Sequence, residues 1–354
     1  MKIERSEHDA SPSSDRSQPT ALTCQVPCKV NLFLEVLGKR PDGYHDLDTI
    51  MLAVDWCDVL TIRAMPVSQI HLHVQFAPDP WDGHSTPTRF AEDDPAWDIP
   101  SDERNLVVRA LHRLRSELGA DTGLEVELTK RIPAQAGLGG GSADAAAALV
   151  LGCLVWSGRL NWPVIRKIAA GLGSDLNFFL EGWNGRRWTA RCTGRGEQIQ
   201  PVPNGSDQHM VIVHPPQGCN TAEIFRNLAN QPPQSTEPTH TAQSVARNSA
   251  EMLPVLASGQ NEHLGPLLYN RLDQVARRCN PWIDRTAKWF DRYKPLGHCL
   301  SGSGSASFCL CSNRQEAEKI GRELALLKES RVLVASSWHS PSIQEQAKQL
   351  GFDE

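Results

Sequence analysis

The chain has 354 residues, of which 40% are hydrophobic and 22% charged, and its formal net charge at pH 7 is −5. This length suits two domains of moderate size better than a single core. The negative balance argues against a nucleic-acid-binding protein, so an anionic substrate would have to be met locally, by backbone N–H groups and a few cations.

The N-terminus and the cysteines favour a cytoplasmic protein. Residues 1–22 are polar and lack the apolar core of a secretion signal, so we expect a disordered tail. The longest apolar run, Ala145 to Trp156, is shorter than a membrane span. None of the ten cysteines forms a Cys-x-x-Cys pair, which favours reduced thiols over a zinc site or a disulfide framework. We therefore expect no membrane or nucleic-acid partner, and the oligomeric state is left open.

Hydrophobic periodicity predicts a mixture of strands and helices in the first half of the chain. Apolar residues alternate from Gln25 to Met65, on either side of a turn at Lys39–Gly43, and again from Ile70 to Phe76, as in half-buried strands. Residues 77–103 are rich in Pro and Asp and predict a long surface loop. The predicted elements that follow are a helix over Asn105–Leu118, a strand over Leu124–Ile132, a helix to about Trp156 and another over Pro163–Ala170.

A shift to Pro, Asn, Gly and Ser at residues 201–207 indicates a domain boundary, after which HMVIVHP starts a second unit with a strand. Residues 230–244 are polar and predict a flexible insertion. Helical patterns follow around His263–Arg278 and Asn313–Glu329, and the segment Cys299–Cys311 between them predicts two short strands joined by a Gly/Ser turn. Strands and helices mixed in both halves favour an α+β fold.

The segment PAQAGLGGGSADAAAA (Pro133–Ala148) places a glycine loop between a predicted strand and a predicted helix. Such a loop binds anions well, because the first helical turn has N–H groups without intrahelical partners and glycines let the backbone approach a phosphate. Ser142 could cap the helix or reach a phosphate-bound metal. The alternative is a tight turn capped by Ser142 before a core helix. No Lys follows as in a Walker A loop, and the acid of a dinucleotide-binding unit is missing.

Three segments together resemble the GHMP kinases, which transfer the γ-phosphoryl group of ATP to the hydroxyl of a small molecule. PCKVN (Pro27–Asn31), PAQAGLGGGSADAAA and SGSGSASF (Ser301–Phe308) stand in the order and spacing of the three motifs of that family. RPDGYHDLDTIM (Arg40–Met51) is similar to the branch whose substrate carries a cytidine diphosphate group and is phosphorylated at the 2-hydroxyl of a methylerythritol, on the non-mevalonate route to isoprenoids. The resemblance covers roughly Thr23 to His339.

This resemblance implies a two-domain α+β architecture of GHMP-kinase type, with the active site in the cleft between the domains. The implied boundaries are an N-terminal ATP-binding domain over residues 23–204, a C-terminal domain over 205–345 and a tail over 346–354. Asp175 in GSDLNFF matches the proposed catalytic base of the family, and Lys29 matches the lysine paired with it. The alternatives are a helix cap for Asp175 and a solvent-facing strand position for Lys29.

The resemblance also implies two ligand sites. The residues that match ATP-binding positions are Gly137, Leu138, Gly139, Gly140, Gly141 and Ser142 around the phosphates, and Asn105, Leu106 and Lys130 around adenine. The residues that match substrate-binding positions are Asn31 near the erythritol end, Tyr44 and His45 beside cytosine, and Thr221 and Phe225 on the opposite wall. Mg²⁺ is expected with ATP, and Ser142 is the candidate protein ligand. The structural alternatives are turn residues for Tyr44 and His45 and core positions for Phe225 and Leu106.

The chain departs from the family pattern at Cys28, Asn177, Met51 and Ala306–Ser307. Met51 replaces an aromatic residue that helps to hold cytosine, so the base site is expected to be looser. None of these changes removes a charge or a glycine needed for transfer. The alternatives left open are another small-molecule kinase of the same family, of homoserine or mevalonate type, a catalytically inactive nucleotide-binding protein on the same fold, and a purely structural α+β protein.

Overall fold

The computed structural model describes residues 2–5, 21–77, 95–182, 188–229, 247–339 and 343–352. Most of the predicted loop over 77–103 and all of the predicted insertion over 230–244 therefore lie outside the described residues. The strands are β1 (Ile3–Arg5), β2 (Leu22–Lys39), β3 (His45–Met65), β4 (Ile70–Phe76), β5 (Gly123–Lys130), β6 (Thr189–Gly194), β7 (Gln198–Pro201), β8 (His209–His214), β9 (Tyr269–Asn270), β10 (Gly297–Leu300), β11 (Ser307–Cys311) and β12 (Arg331–Ser336). The helices are α1 (Leu106–Leu118), α2 (Gly140–Ser157), α3 (Trp162–Ala170), α4 (Ser174–Glu181), α5 (Thr221–Ala229), α6 (Met252–Ser258), α7 (Asp273–Cys279), α8 (Pro281–Tyr293), α9 (Arg314–Ala325) and α10 (Ile343–Gln349).

The larger sheet is built on the long antiparallel pair β2 and β3. Its strand order is β1-β2-β3-β5-β4, while β6 pairs with the first half of β3, β7 with β6, and β9 with β2. Most of β2 is buried on both faces. The alternation of residues in its sequence therefore does not correspond to one buried and one exposed face, and the prediction of a half-buried strand is wrong here. One face packs on the helices α1 and α2, and the other packs on the second sheet.

A register shift between β2 and β3 falls at Pro27 and Cys28, where two residues of β3, Asp55 and Trp56, have no partner in β2. Before the shift Cys24 and Val26 face the helix-side core, whereas after it Cys28 belongs to the core between the sheets. Lys29 directly follows this change, and its ammonium donates to the Gly137 carbonyl of the glycine loop.

Helix α2 is a core helix. It is apolar on all sides, and its residues Ala143–Leu154 are buried. By length and composition alone, its 18 residues with a mean hydropathy of 1.3 could span a membrane. The helix is longer than the apolar run Ala145 to Trp156 that the sequence shows. Burial inside the protein covers 72% of that window, so packing between α1, α4 and the sheet accounts for the composition.

The second sheet has the order β10-β11-β8-β12, and every pair in it is antiparallel. Helices α8 and α9 cover one face, around Phe290 and Ile320. The other face contributes Ile212 and Phe308 to the core shared with the first sheet. The change from one sheet to the other falls between Pro201 and His209.

Both chain ends differ from the predicted tails. Ile3–Arg5 pairs with Leu22–Cys24, and Ile3 N donates a hydrogen bond of 2.6 Å to Gln346 Oε1. On α10, Ala347 is buried in the same core as Ile3. The prediction of disorder is therefore wrong for Ile3–Arg5, whereas residues 6–20 lie outside the described part. The predicted C-terminal tail over 346–354 begins inside helix α10. Both ends are thus packed into the helix-side core.

The helix predicted around His263–Arg278 is also wrong in part. Within that range only Asp273 onward is α-helical, and Tyr269–Asn270 forms a short strand beside β2. The sequence reading missed helix α8. Its start signal was present, since Asn280 accepts from Trp282 N as an N-cap and Pro281 occupies the first turn.

Candidate active site

A cleft of about 1090 Å³ lies between the glycine loop, the start of β3 and helix α5. Residues from both halves of the chain line it, including Gly302 and Ser303 from the turn between β10 and β11. The predicted site residues that line the cleft are Lys29, Asn31, Tyr44, His45, Leu106, Gly137, Leu138, Gly139, Gly140, Gly141, Ser142, Asp175, Thr221 and Phe225. The predicted residues Asn105 and Lys130 do not line it.

The glycine loop needs its glycines for different reasons. Gly137 has φ +74°, and a Cβ atom there would lie 2.0 Å from the carbonyl oxygen of Ser301. Gly139, with φ +72°, is the N-cap of α2, so the prediction that Ser142 caps this helix is wrong. A Cβ atom on Gly141 would meet no atom within 4 Å. The loop is thus closed toward the protein and open toward the cleft at the first turn of α2.

The three sequence motifs meet at Gly137. The Ser301 hydroxyl from the third motif donates to the Gly137 carbonyl at 3.0 Å. The Lys29 ammonium from the first motif donates to the same carbonyl at 2.9 Å, and Lys29 N donates to Leu138 O at 2.9 Å. Hydrogen bonds across three distant segments therefore set the loop's position.

Lys29 and Asp175 face each other beside this loop. Lys29 is 4% exposed, so it does not occupy a solvent-facing strand position. Its Nζ lies 3.8 Å from Asp175 Oδ2 and 2.6 Å from Asn31 Oδ1. The N-cap of α4 is Gly173, so Asp175 is not the cap of that helix. The Asp175 side chain is 30% exposed, which leaves its carboxylate accessible from the cleft.

Asn31 is held by the protein itself. It is buried, and its Nδ2 donates to Thr49 Oγ1 at 2.8 Å. Met51, on the neighbouring strand, is the cross-strand partner of Asn31 and is also buried in the cleft wall. The substitution of Met for an aromatic residue thus lies at the Asn31 end of the cleft.

Aromatic residues gather at the far end of the cleft. His45 at the start of β3 and Phe225 on α5 stack with ring centroids 4.9 Å apart and an interplanar angle of 29°. The sequence predicted them on opposite walls, whereas their rings are in contact. Burial and the charge of Lys39 lower the pKa of His45 below its ordinary value. This shift favours the neutral form of the imidazole.

Two further contacts shape this end. Tyr44 is 55% exposed, and the Arg195 guanidinium lies 4.8 Å from its ring centroid. The Thr221 and Ser303 hydroxyls share a hydrogen bond of 2.7 Å, which links α5 to the third motif. The cleft wall here is therefore aromatic, and it is also lined by the cations Lys39, Arg195 and Arg226.

The residues predicted around adenine behave differently from one another. Leu106 is half-buried and lines the cleft. Asn105 is the N-cap of α1, where its side chain accepts from Val107 N at 2.9 Å and donates to Pro100 O at 2.7 Å. Its side chain is therefore occupied by the helix start.

Lys130 lies beneath the loop, in a buried group of three charges. Its ammonium donates to Asp58 Oδ2, and to Asp144 Oδ2 at 2.7 Å. Asp58 Oδ1 also accepts from the backbone N–H groups of Arg131 and Ile132. The neighbouring carboxylates raise the pKa of Lys130 despite its burial, while burial and Asp58 raise the pKa of Asp144. The Lys130 side chain thus joins the end of β5 to helix α2 and does not reach the cleft.

Sequence reasoning did not find several residues of this site. Ser301 and Ser303 lie in the third motif, but the motif does not show which distant groups their hydroxyls contact. Thr49 and Arg195 carried no signal, because their significance depends on partners far away in the sequence. Asp58 and Asp144 are single acids in apolar surroundings, a pattern that can suggest a buried ion pair but not its partner.

Two family models match separate parts of the chain. Residues 105–182 match the family model of the GHMP kinases N terminal domain, and residues 252–327 match that of the GHMP kinases C terminal region. These ranges include the glycine loop with Asp175 and the third motif, respectively.

Relatives of known name cover most of the chain. A 4-diphosphocytidyl-2-C-methyl-D-erythritol kinase of Rhodopirellula baltica is 35% identical over 82% of this chain and 87% of its own. One of Carboxydothermus hydrogenoformans is 33% identical, over 85% and 92%. The crystal structure of a 4-(cytidine 5'-diphospho)-2C-methyl-D-erythritol kinase matches with a TM-score of 0.64 and 27% identity, over 89% of this chain and 98% of that one. The chain therefore belongs to the GHMP kinases and, within them, to the 4-diphosphocytidyl-2-C-methyl-D-erythritol kinase family.

Proposed function

We propose that this protein transfers the γ-phosphoryl group of ATP to the 2-hydroxyl of 4-diphosphocytidyl-2-C-methyl-D-erythritol, a step of the non-mevalonate route to isoprenoid precursors. The observation that carries the proposal is one cleft in which the Lys29–Asp175 pair lies beside an anion-binding helix start, with aromatic residues at the far end. Along its length, such a cleft offers a phosphate site, then a base, and then a surface for a nucleobase.

The ATP end of the cleft consists of the glycine loop and the first turn of α2. The N–H groups of Gly140, Gly141 and Ser142 belong to the first helical turn, where they have no intrahelical acceptor. Together with the helix dipole they favour the negative charge of a triphosphate. Adenine is assigned to the side where Leu106 lines the cleft, beside Asn105 and the backbone of Lys130.

Mg²⁺ fits the residues around the glycine loop as an ion that binds together with ATP. Among the described residues there is no group of three or more His, Cys, Asp or Glu side chains that could hold a metal ion. The Ser142 hydroxyl is the protein ligand we assign, and the triphosphate would supply the other oxygens. The ion would neutralise phosphate charge during transfer.

Asp175 is assigned as the base that accepts the proton of the acceptor hydroxyl. Its carboxylate is accessible from the cleft, and Lys29 lies 3.8 Å away. The Lys29 cation stabilises the ionised carboxylate and the charge on the transferring phosphoryl group. Transfer between two bound molecules then depends mainly on positioning and on charge stabilisation.

The cytidine diphosphate group is assigned to the aromatic end. Tyr44, His45 and Phe225 offer ring faces for cytosine, and Thr221 offers a hydroxyl. Because His45 and Phe225 are already stacked, cytosine must either separate these rings or stack on an outer face. Asn31 is assigned to the erythritol end, where it borders Lys29.

Two expectations from the sequence stay predictions. The domain boundaries at residues 23–204 and 205–345 are supported by the change of sheet between β7 and β8. A reducing, cytoplasmic location is supported by the ten cysteines, all of which are free thiols.

The decisive experiment is ADP release measured in a coupled assay with ATP and three acceptors in parallel: the cytidyl substrate, mevalonate and homoserine. We expect turnover with the cytidyl substrate alone. Turnover with mevalonate or homoserine in its place would contradict the assigned acceptor but not the kinase reaction. Nucleotide binding without turnover of any of the three would favour an inactive binding protein.

A further inference from the structure

A chain of hydrogen bonds leads from Lys29 away from the cleft. Lys29 Nζ donates to Asn31 Oδ1 at 2.6 Å. Asn31 Nδ2 donates to Thr49 Oγ1 at 2.8 Å, and Thr49 Oγ1 donates to Phe33 O at 2.6 Å. Thr49 is 0% exposed and Asn31 is 1% exposed, so these hydrogen bonds are buried in the wall of the cleft, which both residues line.

The groups at the two ends of this series of hydrogen bonds determine which atom donates at each step. A backbone carbonyl only accepts, and a lysine ammonium only donates. Thr49 has a single proton, which goes to Phe33 O, so its oxygen must accept from Asn31. The Asn31 amide therefore turns Nδ2 to Thr49 and Oδ1 to Lys29. The opposite orientation would set a donor against a donor at Lys29 and an acceptor against an acceptor at Thr49.

This orientation determines how the Lys29 ammonium is used. One of its protons goes to Asn31 Oδ1 and a second goes to the Gly137 carbonyl at 2.9 Å. Both acceptors are neutral, so they hold the ammonium in place without compensating its charge. The third proton remains for Asp175, 3.8 Å away, and for the phosphoryl group beside it.

On the basis of the proposed function, we propose that Thr49 is a positioning residue of phosphoryl transfer. Through Asn31 it holds the Lys29 ammonium so that one N–H faces the reacting groups. Without the Thr49 hydroxyl the Asn31 amide can turn over and present its NH₂ group to Lys29. That donor-to-donor contact would displace the ammonium, and a small displacement at the reacting centre costs rate more than binding.

The test compares Thr49→Val, which keeps the shape but removes the hydroxyl, with Thr49→Ser, which keeps the hydroxyl. We expect Thr49→Val to lower kcat at least about tenfold, with KM for ATP and for the cytidyl substrate within about twofold. Thr49→Ser is expected to stay within about threefold of the parent. Thr286→Val is the matched control, since Thr286 is equally buried and its hydroxyl has no hydrogen-bond partner among the described residues. It should leave kcat unchanged.

A double-mutant cycle tests the route through Asn31. Because Thr49 acts through the amide, adding Thr49→Val to Asn31→Ala should change kcat by less than about twofold. If the losses in kcat of the two single variants multiply in the double variant, the proposal is overturned. A kcat of Thr49→Val equal to that of the parent would overturn it as well. If Thr49→Val melts below the assay temperature, Thr49→Cys replaces it with the same expected split between kcat and KM.

The outcome is separable from that of the proposed function. A parent enzyme that turns over the cytidyl substrate, together with a fully active Thr49→Val, would overturn the positioning role alone. A parent enzyme that fails to turn over the cytidyl substrate would overturn the proposed function, and with it the role of Thr49.

Discussion

His45 and Phe225 stack on each other across the cleft mouth, at 4.9 Å between centroids, and so join the start of β3 to helix α5. If cytosine binds against this pair, the cytidyl substrate should depend on it and ATP should not. We expect Phe225→Leu to raise KM for the cytidyl substrate about tenfold, since a lost aromatic contact costs on the order of 1 kcal/mol beyond burial. Steady-state kinetics with each substrate varied in turn measure this.

The matched control is Tyr293→Leu, which removes a half-buried aromatic residue at the end of α8, outside the cleft. It should change neither KM. An equal rise of KM for ATP in Phe225→Leu would mean that the two ends of the cleft are wrongly assigned.

The state of His45 can be measured directly. Its pKa is lowered by burial and by Lys39. As the pH falls, His45 therefore binds a proton at a higher pH in the unfolded chain than in the folded protein. The contribution of the neutral ring to folding stability is complete above about pH 6.5 and is lost as the pH falls through the folded pKa. We expect an NMR titration of the His45 imidazole with a midpoint below 6.5. A midpoint at or above 6.5 would contradict the lowered pKa of His45.

Asp175→Asn should lower kcat by about 10²–10⁴-fold, the usual contribution of a positioned general base. ATP binding should persist, because the glycine loop is held by Ser301 and Lys29 rather than by Asp175. Single-turnover kinetics and calorimetric titration with an ATP analogue separate the two effects. Asp291→Asn, at an exposed carboxylate outside the cleft, is the control. A kcat within about threefold of the parent would remove Asp175 from the base role.

Neighbouring glycines of the loop should respond in opposite ways to an added methyl group. A Cβ on Gly140 would lie 2.8 Å from Ile132 Cγ2, so Gly140→Ala should lower the melting temperature. On Gly141 a Cβ meets nothing within 4 Å, and Ala stabilises helices by up to about 1 kcal/mol relative to Gly, so Gly141→Ala should not lower it.

The larger Gly141→Val should raise KM for ATP at least about tenfold, because its side chain enters the space assigned to the phosphates. Gly38→Val, at an exposed glycine that also has open space around its Cβ, is the control. An unchanged KM for ATP in Gly141→Val would contradict the phosphate site.

The buried group around Lys130 should contribute strongly to stability. Lys130→Met leaves Asp58 and Asp144 buried without their cation, and breaking a buried ion pair costs about 3–5 kcal/mol. Lys167→Met removes an exposed pair with Glu117 and should cost less than about 1 kcal/mol. Urea unfolding of both variants measures the difference. Equal effects would show that burial adds nothing to this ion group.

Local sequence was sufficient for the elements around the phosphate site. The strand–glycine–helix order of residues 124–156 appears as β5, the loop and α2, because helix starts and glycine conformations depend on near neighbours. The same reasoning failed at the chain ends. Neither Ile3 nor Ala347 has a local pattern that shows its partners, which come from distant parts of the chain in the helix-side core.

The environment of Lys29 could not be predicted from periodicity. A charge in an alternating strand is expected at a solvent-facing position, yet Lys29 is buried because the second sheet covers one face of β2 and the helices cover the other. The register shift between β2 and β3 lies next to Lys29, at Pro27 and Cys28, and no residue type in the sequence indicates it.

The sequence by itself determined the class of protein, since a glycine loop, a Lys, an Asp and a third Gly/Ser turn in one order carry the chemistry of phosphoryl transfer. Only the tertiary structure decided how those groups meet. The Gly137 carbonyl joins the three motifs, Thr49 orients Asn31, and His45 meets Phe225 through contacts between segments far apart in the chain. The physical reason is that backbone conformation follows from neighbouring residues, whereas the direction of a buried hydrogen bond follows from whichever donor or acceptor the fold brings to it.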